Sequence, residues 1–129
     1  MTIEPRRLAP VAAALGALAV VVGAFGAHGL KAILGAPELA WWQTGAQYHL
    51  IHAVVLFAAC VAPAPPRPKA LVVACVALLA GIALFAGSLY AMALTDVLAL
   101  GAVTPFGGVG LILGWSALAV AWWPRRATT

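Results

Sequence analysis

Four long stretches without a formal charge make up most of the chain, each closed at both ends by a charged residue. Arg7 and Lys31 bracket 23 uncharged residues, Glu38 and Arg67 bracket 28, Lys69 and Asp96 bracket 26, and Asp96 and Arg125 bracket 28. A helix rises about 1.5 Å per residue, so roughly 20 apolar residues cross the ~30 Å hydrocarbon core of a bilayer. All four stretches are long enough. The pattern predicts an all-α integral membrane bundle of four transmembrane helices, near 8–30, 40–62, 70–93 and 105–123. The segment Pro63-Ala64-Pro65-Pro66-Arg67-Pro68 between the second and third reads as a stiff, extended connector. Thr104 is the expected N-cap of the last helix, with Pro105 at its first position. No polar linker interrupts the 129 residues, so residues 1–129 are expected to form one transmembrane domain.

Composition removes whole classes of function. The chain is 65% hydrophobic and only 8% charged, with a mean hydropathy of +1.08. A soluble domain carries about 25% charged residues, so this chain lacks the groups to cover a water-facing surface. A soluble enzyme, a nucleic-acid binder and a disordered segment are all excluded. The net charge of +4 is an orientation signal. Arg6, Arg7, Arg67, Lys69, Arg125 and Arg126 fall on one side of the predicted bundle; Lys31 alone, beside Glu38 and Asp96, falls on the other. Lys and Arg in short loops favour the cytoplasm, which places both termini and the proline-rich loop there. The first stretch exceeds the apolar run of about 7–15 residues of a cleavable signal peptide and is expected to remain as a span. Trp41-Trp42 and Trp122-Trp123 sit where interfacial belts would form.

With so few charges, the uncharged polar residues inside the spans become the candidates for function. His28 closes the first predicted helix; Gln43, Thr44, Gln47, Tyr48, His49 and His52 lie in the second; Ser88 and Tyr90 lie in the third. By the charge-based topology all belong to the outer half of the membrane, where buried polar groups are costly and tend to mark function. At 100° per residue, Tyr48, His49 and His52 share an arc of about 100° with Gly45, while Gln43 and Gln47 share another face. His28, His49 and His52 are candidate ligands for a metal ion or, from facing helices, a haem. A quinone or proton-relay pocket would need only a histidine, a hydroxyl and apolar walls. The opposing reading has these groups hydrogen-bonding one another and the helix ends. Gly107, Gly108, Gly110 and Gly114 open the last helix to close packing, within the chain or against a second copy. Cys60 and Cys75, near the cytoplasmic ends, are read as small core residues, and Asp96 as a helix cap or an interfacial anchor.

These same residues carry a resemblance. Gly23-Ala24-Phe25-Gly26-Ala27-His28-Gly29-Leu30, Trp42-Gln43-Thr44-Gly45-Ala46-Gln47-Tyr48-His49-Leu50-Ile51-His52, Gly81-Ile82-Ala83-Leu84-Phe85-Ala86-Gly87-Ser88-Leu89-Tyr90, Thr104-Pro105-Phe106-Gly107-Gly108 and Gly114-Trp115 resemble the small YgdD-like membrane proteins, a family of unknown function to which transmembrane protein 256 is similar. The resemblance implies a four-helix integral protein of the cell (inner) membrane and brings no activity with it.

The combined expectation is a multi-pass, non-catalytic accessory or packing subunit with a polar pocket in the outer membrane half, no cofactor, and lipid, other membrane proteins or itself as partners. The alternatives are a histidine-based metal, haem or quinone binder, and a small proton-coupled transporter. The transporter is disfavoured because the first helix has no acid and only His52 could titrate near mid-membrane.

Overall fold

A computed structural model of the protein describes residues 4–124. It is all-helical among the described residues: α1 spans Ala9–His28, α2 Ala36–Val61, α3 Pro68–Thr95 and α4 Thr104–Trp122. Short 3-10 turns at Pro5–Leu8, Leu30–Ala32 and Leu98–Ala102 extend three of their ends. All four spans are long and apolar enough to cross a membrane. Of the charges used to orient the bundle, Arg125 and Arg126 lie outside the described residues.

The helix limits follow from local chemistry. α2 begins before the expected residue 40, because Pro37 sits in the first turn and Glu38 places an acid near the positive end of the helix dipole. α3 begins at Pro68 and ends at Asp96, which adopts a left-handed conformation (φ 57°, ψ 19°) and donates its N–H to the Met92 carbonyl at 2.9 Å. Aspartate is among the few side chains that enter this region readily. Thr104 departs from expectation. Val103, not Thr104, is the N-cap residue of α4, and no side chain caps that end. The threonine hydroxyl is engaged elsewhere, as described below.

α3 is the central element: α2 and α4 both pack on it, and α1 packs on α2. Leu56 and Cys60 of α2, Leu71, Cys75, Leu78 and Ile82 of α3 and Leu111 of α4 form the buried core. The Cys60 and Cys75 sulfurs lie 4.0 Å apart as free thiols. The α3–α4 seam is set by glycine. A Cβ on Gly107 would strike the backbone of Phe85, one on Gly110 would lie 3.2 Å from Gly81 Cα, and one on Gly114 would lie 2.7 Å from the Leu78 side chain. Gly108 faces only the Phe85 ring, at 3.8 Å. Gly107, Gly110 and Gly114 are therefore turned inward, against α3.

Arg67 ties the α2–α3 loop to the C-terminal end of α4. Its backbone N–H donates to Ala121 O at 3.2 Å, and its guanidinium Nη1 donates to Val120 O at 3.3 Å and Trp123 O at 2.9 Å. These carbonyls lie at the negative end of the α4 dipole, where a cation is most favourable. Gly107→Ala should lower stability by about 1–3 kcal/mol through overpacking at Phe85. Gly16→Ala, whose Cβ meets nothing within 4 Å, should be neutral or slightly stabilising. SDS-induced unfolding in mixed micelles measures both; equal effects would contradict the seam.

Candidate functional site

Each of the three sequential helix interfaces holds one polar contact, and only some of the residues singled out by sequence take part. At α1–α2, the indole N–H of Trp42 donates to the carbonyl of Val22 at 2.8 Å. Trp42 is only 5% exposed, so it is a core residue and not the interfacial belt residue expected. Gly26 explains why it fits: a Cβ there would sit 2.6 Å from Trp42 Nε1. The indole occupies the missing side chain's place, and Phe25 meets it edge-on at 6.2 Å between ring centroids.

At α2–α3, His49 Nδ1 pairs with the Tyr90 hydroxyl at 3.1 Å. Gly45, one turn before His49, makes room for Tyr90, whose Cε1 would lie 2.9 Å from a Cβ at that position. The tyrosine ring also packs on Trp42 at 4.6 Å, which joins this interface to the first. A hydroxyl that donates to Nδ1 leaves the proton of neutral histidine on Nε2. That atom is buried, with no hydrogen-bond partner among the described residues.

At α3–α4, the Ser88 and Thr104 hydroxyls share a hydrogen bond of 2.7 Å, and Ser88 also donates to Phe85 O at 3.0 Å. This contact, not a helix cap, is what Thr104 contributes. Ser88 and Tyr90 lie on different faces of α3, so one serine reaches α4 and one tyrosine reaches α2.

His52 stands apart. It is 6% exposed, and its Nδ1 lies 2.7 Å from the Tyr48 carbonyl one turn earlier. A carbonyl only accepts, so Nδ1 carries the proton and Nε2 keeps a lone pair. Tyr48 stacks on the imidazole at 5.7 Å and on Phe85 at 4.6 Å, and Trp115 of α4 meets the imidazole edge-on at 6.3 Å. The exposed residues are His28, at the end of α1, and Gln43, Thr44, Gln47 and Tyr48 on α2; the Thr44 hydroxyl is returned to Ala40 O at 2.9 Å.

The structure thus brings His49 and Tyr90 together, and Ser88 and Thr104 together, but does not gather the three histidines. Among the described residues no group of three or more His, Cys, Asp or Glu side chains is placed to hold a metal ion. Neighbouring positions on one helical turn allowed a shared ligand, yet the His49 ring is drawn to Tyr90 and the His52 ring toward Trp115. Two contributors were missed from sequence. Val22 acts through its carbonyl, which no side-chain pattern reveals. Arg67 was read only as an orientation charge; its signal was its place in a tight loop beside a helix end.

A family model described as "Protein of unknown function (DUF423)" matches residues 22–108. That segment contains every partner in the three interhelical hydrogen bonds, from Val22 to Thr104. The chain is 45% identical over 105 residues to the UPF0382 membrane protein YwdK of Bacillus subtilis (strain 168), covering 81% of this chain and 85% of that one. It is 38% identical over 109 residues to the UPF0382 inner membrane protein YgdD of Escherichia coli (strain K12), covering 84% and 83%. It is 41% identical over 110 residues to the UPF0382 membrane protein SSP2132 of Staphylococcus saprophyticus, covering 82% and 91%. No solved structure matches the chain significantly.

Trp42→Phe keeps the ring in its socket and removes the N–H, so it should cost about 1 kcal/mol, within the range measured for interhelical hydrogen bonds in membranes. His28→Ala should change stability by less than about 0.5 kcal/mol, as for other exposed positions. Unfolding in bicelles checks both, and a neutral Trp42→Phe would remove that hydrogen bond from the account.

Proposed function

The chain belongs to the DUF423 family of membrane proteins, and from that premise we propose that it is a non-catalytic packing subunit that works by associating with a second copy of itself within the membrane. One observation carries this reading: Gln43 and Gln47, one turn apart, are exposed on the side of α2 turned away from the core. The stripe continues through the exposed Ile51 and Val54. Gln47 lies about 6 Å deeper than Gln43, at ~1.5 Å per residue, and so reaches into hydrocarbon. An amide at that depth is costly unless another protein group bonds it. Its C=O accepts and its NH2 donates, so two identical stripes facing across a two-fold axis satisfy each other.

The groups that would serve catalysis or proton transfer in such a chain, His49, Tyr90, Ser88 and Thr104, hold helices together. On this reading the bundle end bearing Arg6, Arg7, Arg67 and Lys69 faces the cytoplasm of a bacterial inner membrane, because the opposite end carries only Lys31.

Single-molecule photobleaching of labelled protein in liposomes tests the proposal. The wild type should form dimers, and Gln43→Leu/Gln47→Leu should weaken them about tenfold, the equivalent of ~1.4 kcal/mol, with the monomer's unfolding unchanged. A monomeric wild type, or a dimer indifferent to the substitutions, would overturn it.

A further inference from the structure

The core of the bundle holds two thiols side by side. Cys60 is the last residue but one of α2, and Cys75 stands two turns into α3. Both are buried and free, and their sulfurs lie 4.0 Å apart. A single buried cysteine packs as a small apolar side chain. Two of them, brought together from different helices, aim two soft donors at one point. A cavity of about 390 Å³ reaches that point: it lies between the Pro5–Leu8 turn and the α2–α3 loop, and Cys60 is part of its lining beside Pro68, Leu71 and Val72.

Distance and donor count define what the pair would hold. A metal–thiolate bond is about 2.3 Å long, so an ion held in line between two sulfurs sets them ~4.6 Å apart. That is close to the separation already present. A disulfide needs the sulfurs at about 2.0 Å, half that separation. A bridging ion therefore asks for the smaller movement. Structural zinc takes four ligands, as do iron–sulfur clusters. Among the described residues no group of three or more His, Cys, Asp or Glu side chains could hold a metal ion. Two thiolates alone suit a soft monovalent ion that accepts linear coordination, and among biological metals that is Cu(I). Leu56, Leu71 and Leu78 belong to the same core cluster and keep water away from the sulfurs.

We propose that Cys60 and Cys75 form a two-coordinate Cu(I) site entered from this cavity. Two S–H bonds break, two S–Cu bonds form and two protons leave; the copper stays monovalent, so no oxidant or reductant takes part. The loaded centre carries one net negative charge. Arg6 lines the cavity and supplies the opposite charge, because Glu4 on the same wall is already paired with Arg7 Nε at 3.3 Å. Gln47 lies 13 residues before Cys60 on α2, about 20 Å along the axis, so this site and the proposed self-association can fail separately.

The test uses the full-length protein, reduced and kept anaerobic in lipid nanodiscs, titrated with Cu(I) in competition with the chelator bicinchoninate. X-ray absorption at the copper edge then reports the ligands in the wild type, a readout that needs no substitution. The expected result is one Cu(I) per chain with two sulfur neighbours and no nitrogen or oxygen. Cys60→Ser and Cys75→Ser should each weaken binding at least a hundredfold, and Arg6→Gln about threefold to tenfold. Excess Zn(II) should not displace the copper. Binding no tighter than in the Cys60→Ala/Cys75→Ala double variant, a nitrogen or oxygen ligand at the copper, displacement by Zn(II), or a product two hydrogens lighter and free of metal would each overturn the assignment.

Discussion

Hydrocarbon offers a polar group no hydrogen-bond partner, and the architecture of this protein depends on that constraint. A buried indole N–H, imidazole or hydroxyl is costly unless it finds a partner inside the protein. Here each sequential pair of helices is joined by one such bond, Trp42 to Val22, His49 to Tyr90 and Ser88 to Thr104. The apolar contacts between helices give little net preference in lipid, because tails are as apolar as leucine. Hydrogen bonds specify which faces meet; glycines let the backbones come close enough for those bonds to form. Gly26 and Gly45 are the clearest cases, since each leaves the space that the bonding ring of a neighbouring helix fills.

Much of this fold was legible in the residues. Four uncharged intervals of at least 23 residues leave little choice but four spans, and the helices begin and end near the bracketing charges. The polar candidates were conspicuous against Ala, Val and Leu, and His49, Tyr90 and Ser88 among them take part in interhelical hydrogen bonds. Their division of labour was not legible. Periodicity places His49 and His52 within one turn but does not reveal that a tyrosine 41 residues later captures one ring while the carbonyl at Tyr48 holds the other. Trp42 was misread for a related reason. Its place at a span end suggested the headgroup belt, and only the packing against Gly26 shows it to be buried. Thr104 looked like a cap because it precedes proline, yet Ser88 on the neighbouring helix competes for its hydroxyl and wins.

The division also separates structure from recognition. Groups whose bonds are made within the chain hold the bundle, while those left facing outward are available to something else. His52 is buried with its ring held by the Tyr48 carbonyl, while Gln43 and Gln47 lie exposed on the same helix. α2 thus contributes the bonding atoms on both sides of the molecule, and α3 provides the surface on which α2 and α4 are packed. This arrangement explains how a chain with three acids, seven bases and three histidines can carry a structured polar interior.

The central claim is that these polar residues act in pairs to fix helix against helix. It is tested most directly by a double-mutant cycle on His49 and Tyr90, using His49→Ala, Tyr90→Phe and the double variant in reversible bicelle unfolding. The account predicts a coupling free energy of about 0.6–1.7 kcal/mol, the range found for interhelical hydrogen bonds in bilayers. Strictly additive effects of the two substitutions would contradict it.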